Sequence, residues 1–177
     1  MSNVQQLSDV NTLRQRARQN VQNGAVTEGY SADRETILRL LNESLATELV
    51  CVLRYKRHHY MATGLKASVA AAEFLEHAQQ EAEHADLLAE RIVQLGGEPE
   101  FNPDTLSKNS HAQYVAGNTL KEMVYEDLVA ERIAVDSYRE IIQFIGDQDP
   151  TTRRIFEDIL AQEEEHADDM ADILKDL

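Results

Sequence analysis

Glycine and proline set where a helix can stop, and this chain of 177 residues has only seven glycines and three prolines. After Tyr30 they occur only at Gly64, Gly96, Gly97, Pro99, Pro103, Gly117, Gly146 and Pro150. Four long stretches between them, 30–63, 65–95, 118–145 and 151–177, are free of breakers. Each can hold a helix of about 27 residues, roughly 40 Å at 1.5 Å per residue. A β sandwich or barrel needs turn clusters every 8–12 residues or so, and none recur here. The chain is therefore read as all-α.

Helix-end chemistry supports that reading. The first helix is expected to start at an N-cap on Ser31 or Asp33 and to run to about Met61. The second runs from near Ser68 to a stop at Gly96-Gly97-Glu98-Pro99. The third opens on Thr119-Leu120-Lys121-Glu122, a capping box, and ends at Gly146. The fourth opens on Asp149-Pro150, an N-cap followed by a proline at the first helical position. Helices one and two, and three and four, are joined by short connections and should form antiparallel hairpins. The segment 97–118 between the hairpins suits a crossover along the length of a bundle, with a short helix starting at Asn102-Pro103-Asp104.

The two hairpins also repeat one another. Glu48…Tyr55 on the first helix matches Glu131…Tyr138 on the third. Phe74…Glu81-Ala82-Glu83-His84-Ala85-Asp86 on the second matches Phe156…Glu163-Glu164-Glu165-His166-Ala167-Asp168 on the fourth. The fold expected for residues 33–177 is an antiparallel four-helix bundle with a long crossover. Residues 1–32 are rich in Gln and Asn and carry Arg14, Arg16 and Arg18 against Asp9 and Glu28. They are read as a tail outside the core, flexible or docked on a partner.

Thirty-two acids against seventeen bases give a net charge of −15, a poor match to nucleic acid or anionic membrane but suited to attracting cations. The single Cys51 excludes an internal disulfide, a CxxC redox pair and a four-cysteine metal site. With no apolar leader and no apolar run long enough to span a membrane, the chain is expected to be cytoplasmic.

The chemistry emerges when inward-facing positions are read at helical spacing. The stripes are Leu41, Leu45, Glu48, Val52, Tyr55, His59; Phe74, Glu81, His84, Leu88, Ile92, Leu95; Val124, Leu128, Glu131, Val135, Tyr138, Ile142, Ile145; and Phe156, Ile159, Glu163, His166, Met170, Ile173. Four glutamates and two histidines thus occupy core positions at mid-height. Converging buried carboxylates repel unless cations neutralise them. Glu-x-x-His places both side chains on one face, and two such pairs plus one Glu from each partner helix form a dimetal carboxylate arrangement. A set this rich in oxygen, with only two nitrogens, favours iron or manganese over zinc in a thiolate site.

Other residues receive plainer readings. Tyr55 and Tyr138 are either hydrogen-bond partners of the glutamates or core packing. His58, His59, His77 and His111 are read as surface or bundle-end residues, and Cys51, Met61, Met123 and Met170 as apolar filler. Glu83, Glu164 and Glu165 are expected on solvated faces, with Glu164 a candidate to line an iron path.

The same segments resemble a known family. Leu41-Asn42-Glu43…Glu48-Leu49…Tyr55, Glu81-Ala82-Glu83-His84-Ala85-Asp86…Glu90-Arg91-Ile92…Leu95-Gly96-Gly97-Glu98-Pro99, Asp127-Leu128-Val129-Ala130-Glu131 and Glu163-Glu164-Glu165-His166 look like the ligand-bearing helices of bacterioferritins. The similarity covers about residues 36–174. The resemblance implies a ferritin-like bundle with an intrasubunit di-iron centre in a hollow homo-oligomeric shell. Glu48 and Glu131 would be terminal ligands, Glu81 and Glu163 would bridge two iron ions per subunit, and His84 and His166 would each bind one.

Three departures refine it. Bacterioferritins carry their haem-binding methionine where this chain has Ala82, so no haem is expected. The chain stops at Leu177, which leaves no room for their short fifth helix, and its tail and crossover are longer. These features resemble the Dps-type mini-ferritins and favour a twelve-subunit shell over one of twenty-four.

The function expected is a ferroxidase that stores or detoxifies iron, oxidising Fe(II) to Fe(III) with H2O2 or O2. Two alternatives stand beside it. One is another dimetal enzyme, manganese catalase-like or a rubrerythrin-like peroxidase; the other is a non-enzymatic DNA-protecting shell protein. Any DNA affinity through the tail is expected to be weak.

Overall fold

The computed structural model describes residues 7–65 and 67–177. Six α-helices follow in order: α1 Val10–Arg16, α2 Arg34–Met61, α3 Ala67–Gln94, α4 Pro103–Asn109, α5 Leu120–Ile145 and α6 Pro150–Asp176, with no strand among the described residues. The four long helices fill the breaker-free stretches, and their ends carry the expected chemistry. Asp33 caps α2 by accepting the Thr36 N–H, and Asp149 caps α6 by accepting that of Thr152. At α5, Thr119 accepts the Glu122 N–H and Glu122 reaches back to the N–H of Asn118. The short helix of the crossover is α4, capped by Asn102.

The end of α3 shows what the Gly-Gly pair is for. Gly96, at φ +75°, donates to Val93, and Gly97 donates to Ile92, each at 2.9 Å, the two bonds of a Schellman motif. At Gly97 a Cβ would lie 2.5 Å from a Leu38 methyl of α2, so any larger residue there would have to displace that side chain.

Helix α2 packs along α3 and α5 along α6; the hairpins face each other through α2 against α5 and α3 against α6. The apolar core is divided into two clusters. One holds Leu41, Leu45, Leu88, Ile92, Tyr138 and Phe156. The other holds Cys51, Tyr55, Phe74, Val124, Ala130 and Met170. On every long helix the mid-height Glu lies in sequence between residues of one cluster and residues of the other. Each fully buried Leu, Ile or Phe contributes about 1.5–3 kcal/mol.

The stripes hold at their centres and blur at their edges: Val52, His59, Leu128, Ile142 and Ile173 are only half-buried, and Ile141 takes the inward place expected of Ile142. The tail differs more. Residues 1–6 lie outside the described residues, α1 buries nothing, and Arg14, Arg16 and Arg18 are exposed. Val26, Tyr30 and Ala32, however, pack against the bundle end, where the Tyr30 hydroxyl donates to Asp149 at 2.9 Å. Among the described residues no helix is long and apolar enough to cross a membrane.

Candidate metal centre

Each long helix delivers its mid-height residues to one layer. Glu48 comes from α2, Glu81 and His84 from α3, Glu131 from α5, and Glu163 and His166 from α6; all six are at most 2% exposed. Their donor atoms form two overlapping groups, each with all ligand atoms within 4.8 Å of one another: Glu48, Glu81, His84, Glu163, and Glu81, Glu131, Glu163, His166. Glu81 and Glu163 belong to both.

The tyrosines one heptad beyond the lone glutamates hold those glutamates. Tyr55 of α2 donates to Glu131 of α5, and Tyr138 of α5 donates to Glu48 of α2. Each bond crosses between hairpins, so the internal repeat appears as a reciprocal clasp. Two glutamines close the pattern. His84 Nε2 meets Gln162 Oε1 and His166 Nε2 meets Gln80 Oε1, each at 2.7 Å. A glutamine carbonyl only accepts, so each Nε2 carries a proton and the inward Nδ1 is left to bind. His84 Nδ1 lies 3.0 Å from Glu163, 3.4 Å from Glu48 and 3.5 Å from Glu81. His166 Nδ1 lies 3.5 Å from Glu81, 3.6 Å from Glu163 and 3.8 Å from Glu131.

Proximity here does not amount to satisfaction. Glu81 Oε1, Glu131 Oε2, both Glu163 oxygens and His166 Nδ1 are buried without a hydrogen bond, although His84 approaches Glu163 to 3.0 Å. Orphaned buried oxygens are costly, and they converge on the positions two divalent cations would occupy. The donor set therefore fits a pair of metal ions.

Electrostatics of the protein alone point the same way. Burial, then Glu81, pushes Glu48 well above the usual carboxylate range. Burial, then the charges of Glu48 and Glu131, pushes Glu163 up to about 8. Against burial, the close approach of His166 and Glu163 draws Glu131 down to about 2. Against burial too, contacts with Glu131, Glu163 and Glu81 raise His166 to about 12, and those with Glu163, Glu48 and Glu81 raise His84. Without cations, the layer holds protons to spread its negative charge.

Two of the histidines read as surface or bundle-end residues are buried, although His58 does lie in the last turn of α2. His58, fully enclosed, places Nδ1 2.7 Å from Asp127 and Nε2 within 3.0 Å of the Ala116 carbonyl, because the crossover folds over the end of α2. Arg54 binds the same Asp127 at 2.7 Å and the Gln113 carbonyl at 3.0 Å, a buried pair that pins the crossover. His77, 2% exposed, stacks on His166 with ring centroids 4.0 Å apart. His59 and His111 are half-buried. Glu83, Glu164 and Glu165 are exposed; Glu164 pairs with Arg139.

Comparison with known proteins agrees with this geometry. The Ferritin model, a ferritin-like domain, matches residues 38–177. The chain belongs to the ferritin-like family. The bacterioferritin of Desulfovibrio desulfuricans is 29% identical over 140 residues, 78% of this chain and 74% of that protein. Its crystal structure, which describes a diiron site in different catalytic states, superposes with a TM-score of 0.71 and 27% identity, covering 82% of this chain and 84% of that one. A dodecameric thioferritin, the bacterioferritin-related protein of Bacteroides fragilis, gives 0.79 and 32%, covering 81% and 87%. Dps from Thermosynechococcus elongatus shares the fold at 0.76 and 22%, covering 79% and 90%.

Proposed function

We propose that this ferritin-like chain is a cytoplasmic ferroxidase subunit that stores and detoxifies iron inside a hollow homo-oligomeric shell, twelve subunits favoured over twenty-four. The observation that carries the reading is the buried layer of four glutamates and two histidines, whose donor atoms form two overlapping groups and include oxygens of Glu81, Glu131 and Glu163 and Nδ1 of His166 left without a hydrogen bond. Glu48 and His84 would hold one Fe(II), Glu131 and His166 the other, with Glu81 and Glu163 shared. The diiron bacterioferritin and the dodecameric relative support the centre and the shell size respectively.

The substrate is Fe(II), and each ion gives up one electron. Two adjacent ions therefore match the two-electron, two-proton reduction of O2 to H2O2, or of H2O2 to two waters. The protein's part is electrostatic and positional. Four carboxylates favour Fe(III) over Fe(II), and the shared pair keeps both ions within reach of one oxidant. Tyr55 and Tyr138 fix the terminal carboxylates, and Gln80 and Gln162 fix the imidazole tautomers. The acidic surface raises the local concentration of cations. No haem is part of the reading, since Ala82 stands at the position of the haem-binding methionine.

Iron loading tests it. Fe(II) added in excess with O2 or H2O2 should leave a ferric core inside a particle with the mass of a dodecamer. Precipitated iron outside a particle of monomer or dimer mass would reject the proposal.

A further inference from the structure

Among the described residues, one cluster of ligating side chains lies outside the centre. Glu73 and His77 of α3 and Asp169 of α6 bring one donor atom each within 4.8 Å of one another. Unlike the six residues of the centre, this group opens to solvent, with the Glu73 side chain 35% and the Asp169 side chain 54% exposed around a histidine that is 2% exposed. We propose that Glu73, His77 and Asp169 form a third divalent-cation site in each subunit, distinct from the two positions of the centre.

Hydrogen bonding at His77 carries the argument. The Tyr55 hydroxyl gives its one proton to Glu131, so towards His77, whose Nδ1 lies 3.3 Å away, it can only accept. That contact fixes the proton on Nδ1 and leaves the lone pair of the neutral ring on Nε2. Nε2 is the atom aimed into the cluster, 3.4 Å from Asp169 and 3.9 Å from Glu73. A buried imidazole with its lone pair held between two carboxylates repels them unless a cation or proton intervenes. One nitrogen and two carboxylates, with water free to complete the shell, suit a first-row divalent ion. Its occupant would sit one ring from the centre, because His77 stacks on His166.

The site is independent of any oxidation chemistry, so its test uses neither iron nor oxidant. The apo full-length protein is dialysed to equilibrium against Co(II), and bound metal and visible absorption are measured for parent and variants. The double variant Glu73→Gln/Asp169→Asn, altered only at partly exposed positions, should bind one Co(II) per chain fewer than the parent. Its remaining Co(II) should keep the parent's affinity. Glu81→Ala should lose metal from the centre and retain this one. The charge-matched control Glu164→Gln/Glu165→Gln should bind as the parent does. Equal Co(II) content in the parent and the Glu73/Asp169 variant would overturn the proposal, as would an equal loss in the control.

Discussion

At the scale of single residues, the centre is a contest between protons and cations for the same lone pairs. His166 is raised to about 12 and Glu163 to about 8, so both carry protons at neutral pH when no metal is present. A metal must displace them, because the ligating forms are neutral imidazole and carboxylate. The sign follows directly. Divalent-ion loading at pH 7 should release protons, and affinity should fall as pH drops through the Glu163 value of about 8. Calorimetry of Zn(II) binding in buffers of differing ionisation enthalpy checks this; loading without proton release would contradict it. The six central residues were legible in the sequence because helical spacing places them on one stripe with the core. Gln80 and Gln162 were legible too, as the repeat extends to the residue before each Glu, but polar residues draw no attention until their partner is seen. His77 shares the stripe of Phe74 and Glu81, so its burial could have been read; His58 could not, since only the path of the crossover encloses it.

At the scale of elements, helix ends are where sequence and stability meet most closely. The α6 cap does more than its motif implies. Asp149, 2% exposed, accepts from the Thr152 N–H and hydroxyl, from Arg91 of α3 at 2.9 Å and from Tyr30 at 2.9 Å. One carboxylate thus joins a helix start, a neighbouring helix and the segment preceding α2. Removing one partner of a buried ion pair typically costs about 3–5 kcal/mol, and Asp149→Ala should fall near the lower figure. The exposed Asp147→Ala, which breaks only a surface pair with Arg153, should cost under about 0.5 kcal/mol. Denaturant midpoints for the two variants decide it, and equal values would contradict the role given to Asp149. Burial raises the Asp149 pKa, but hydrogen bonds from Thr152, Tyr30 and Arg91 outweigh it and leave the pKa below the ordinary 3.8. Its contribution is therefore complete above that value and is lost as pH falls through the lower folded one. The cap itself was plain from Asp149-Pro150; the long-range partners were not, because they depend on which helices become neighbours.

At the scale of the whole molecule, the two hairpins build one centre by meeting face to face, and charge governs what approaches it. A net −15 on the chain draws cations and repels polyanions. The basic residues of the described tail, Arg14, Arg16 and Arg18, lie exposed in and beside α1, and on the proposed shell their copies would act together. Phosphate contacts weaken with a log–log slope of about −0.9 per phosphate neutralised. Gel shifts should therefore show DNA binding only at low salt and none for a chain beginning at Ala25, a truncation that leaves Val26 and Tyr30 in place. Binding that persists at physiological salt would contradict this. The measurement that tests the central claim most directly is an anaerobic Fe(II) titration of the apo protein, followed by oxidant, on the parent and on Glu81→Ala. The parent should fill the centre's pair of positions in each chain and then oxidise both ions rapidly, while the variant, still folded because one repelling buried acid is gone, should lose the pair and the fast oxidation. A Glu81→Ala chain that binds and oxidises Fe(II) as the parent does would contradict the account.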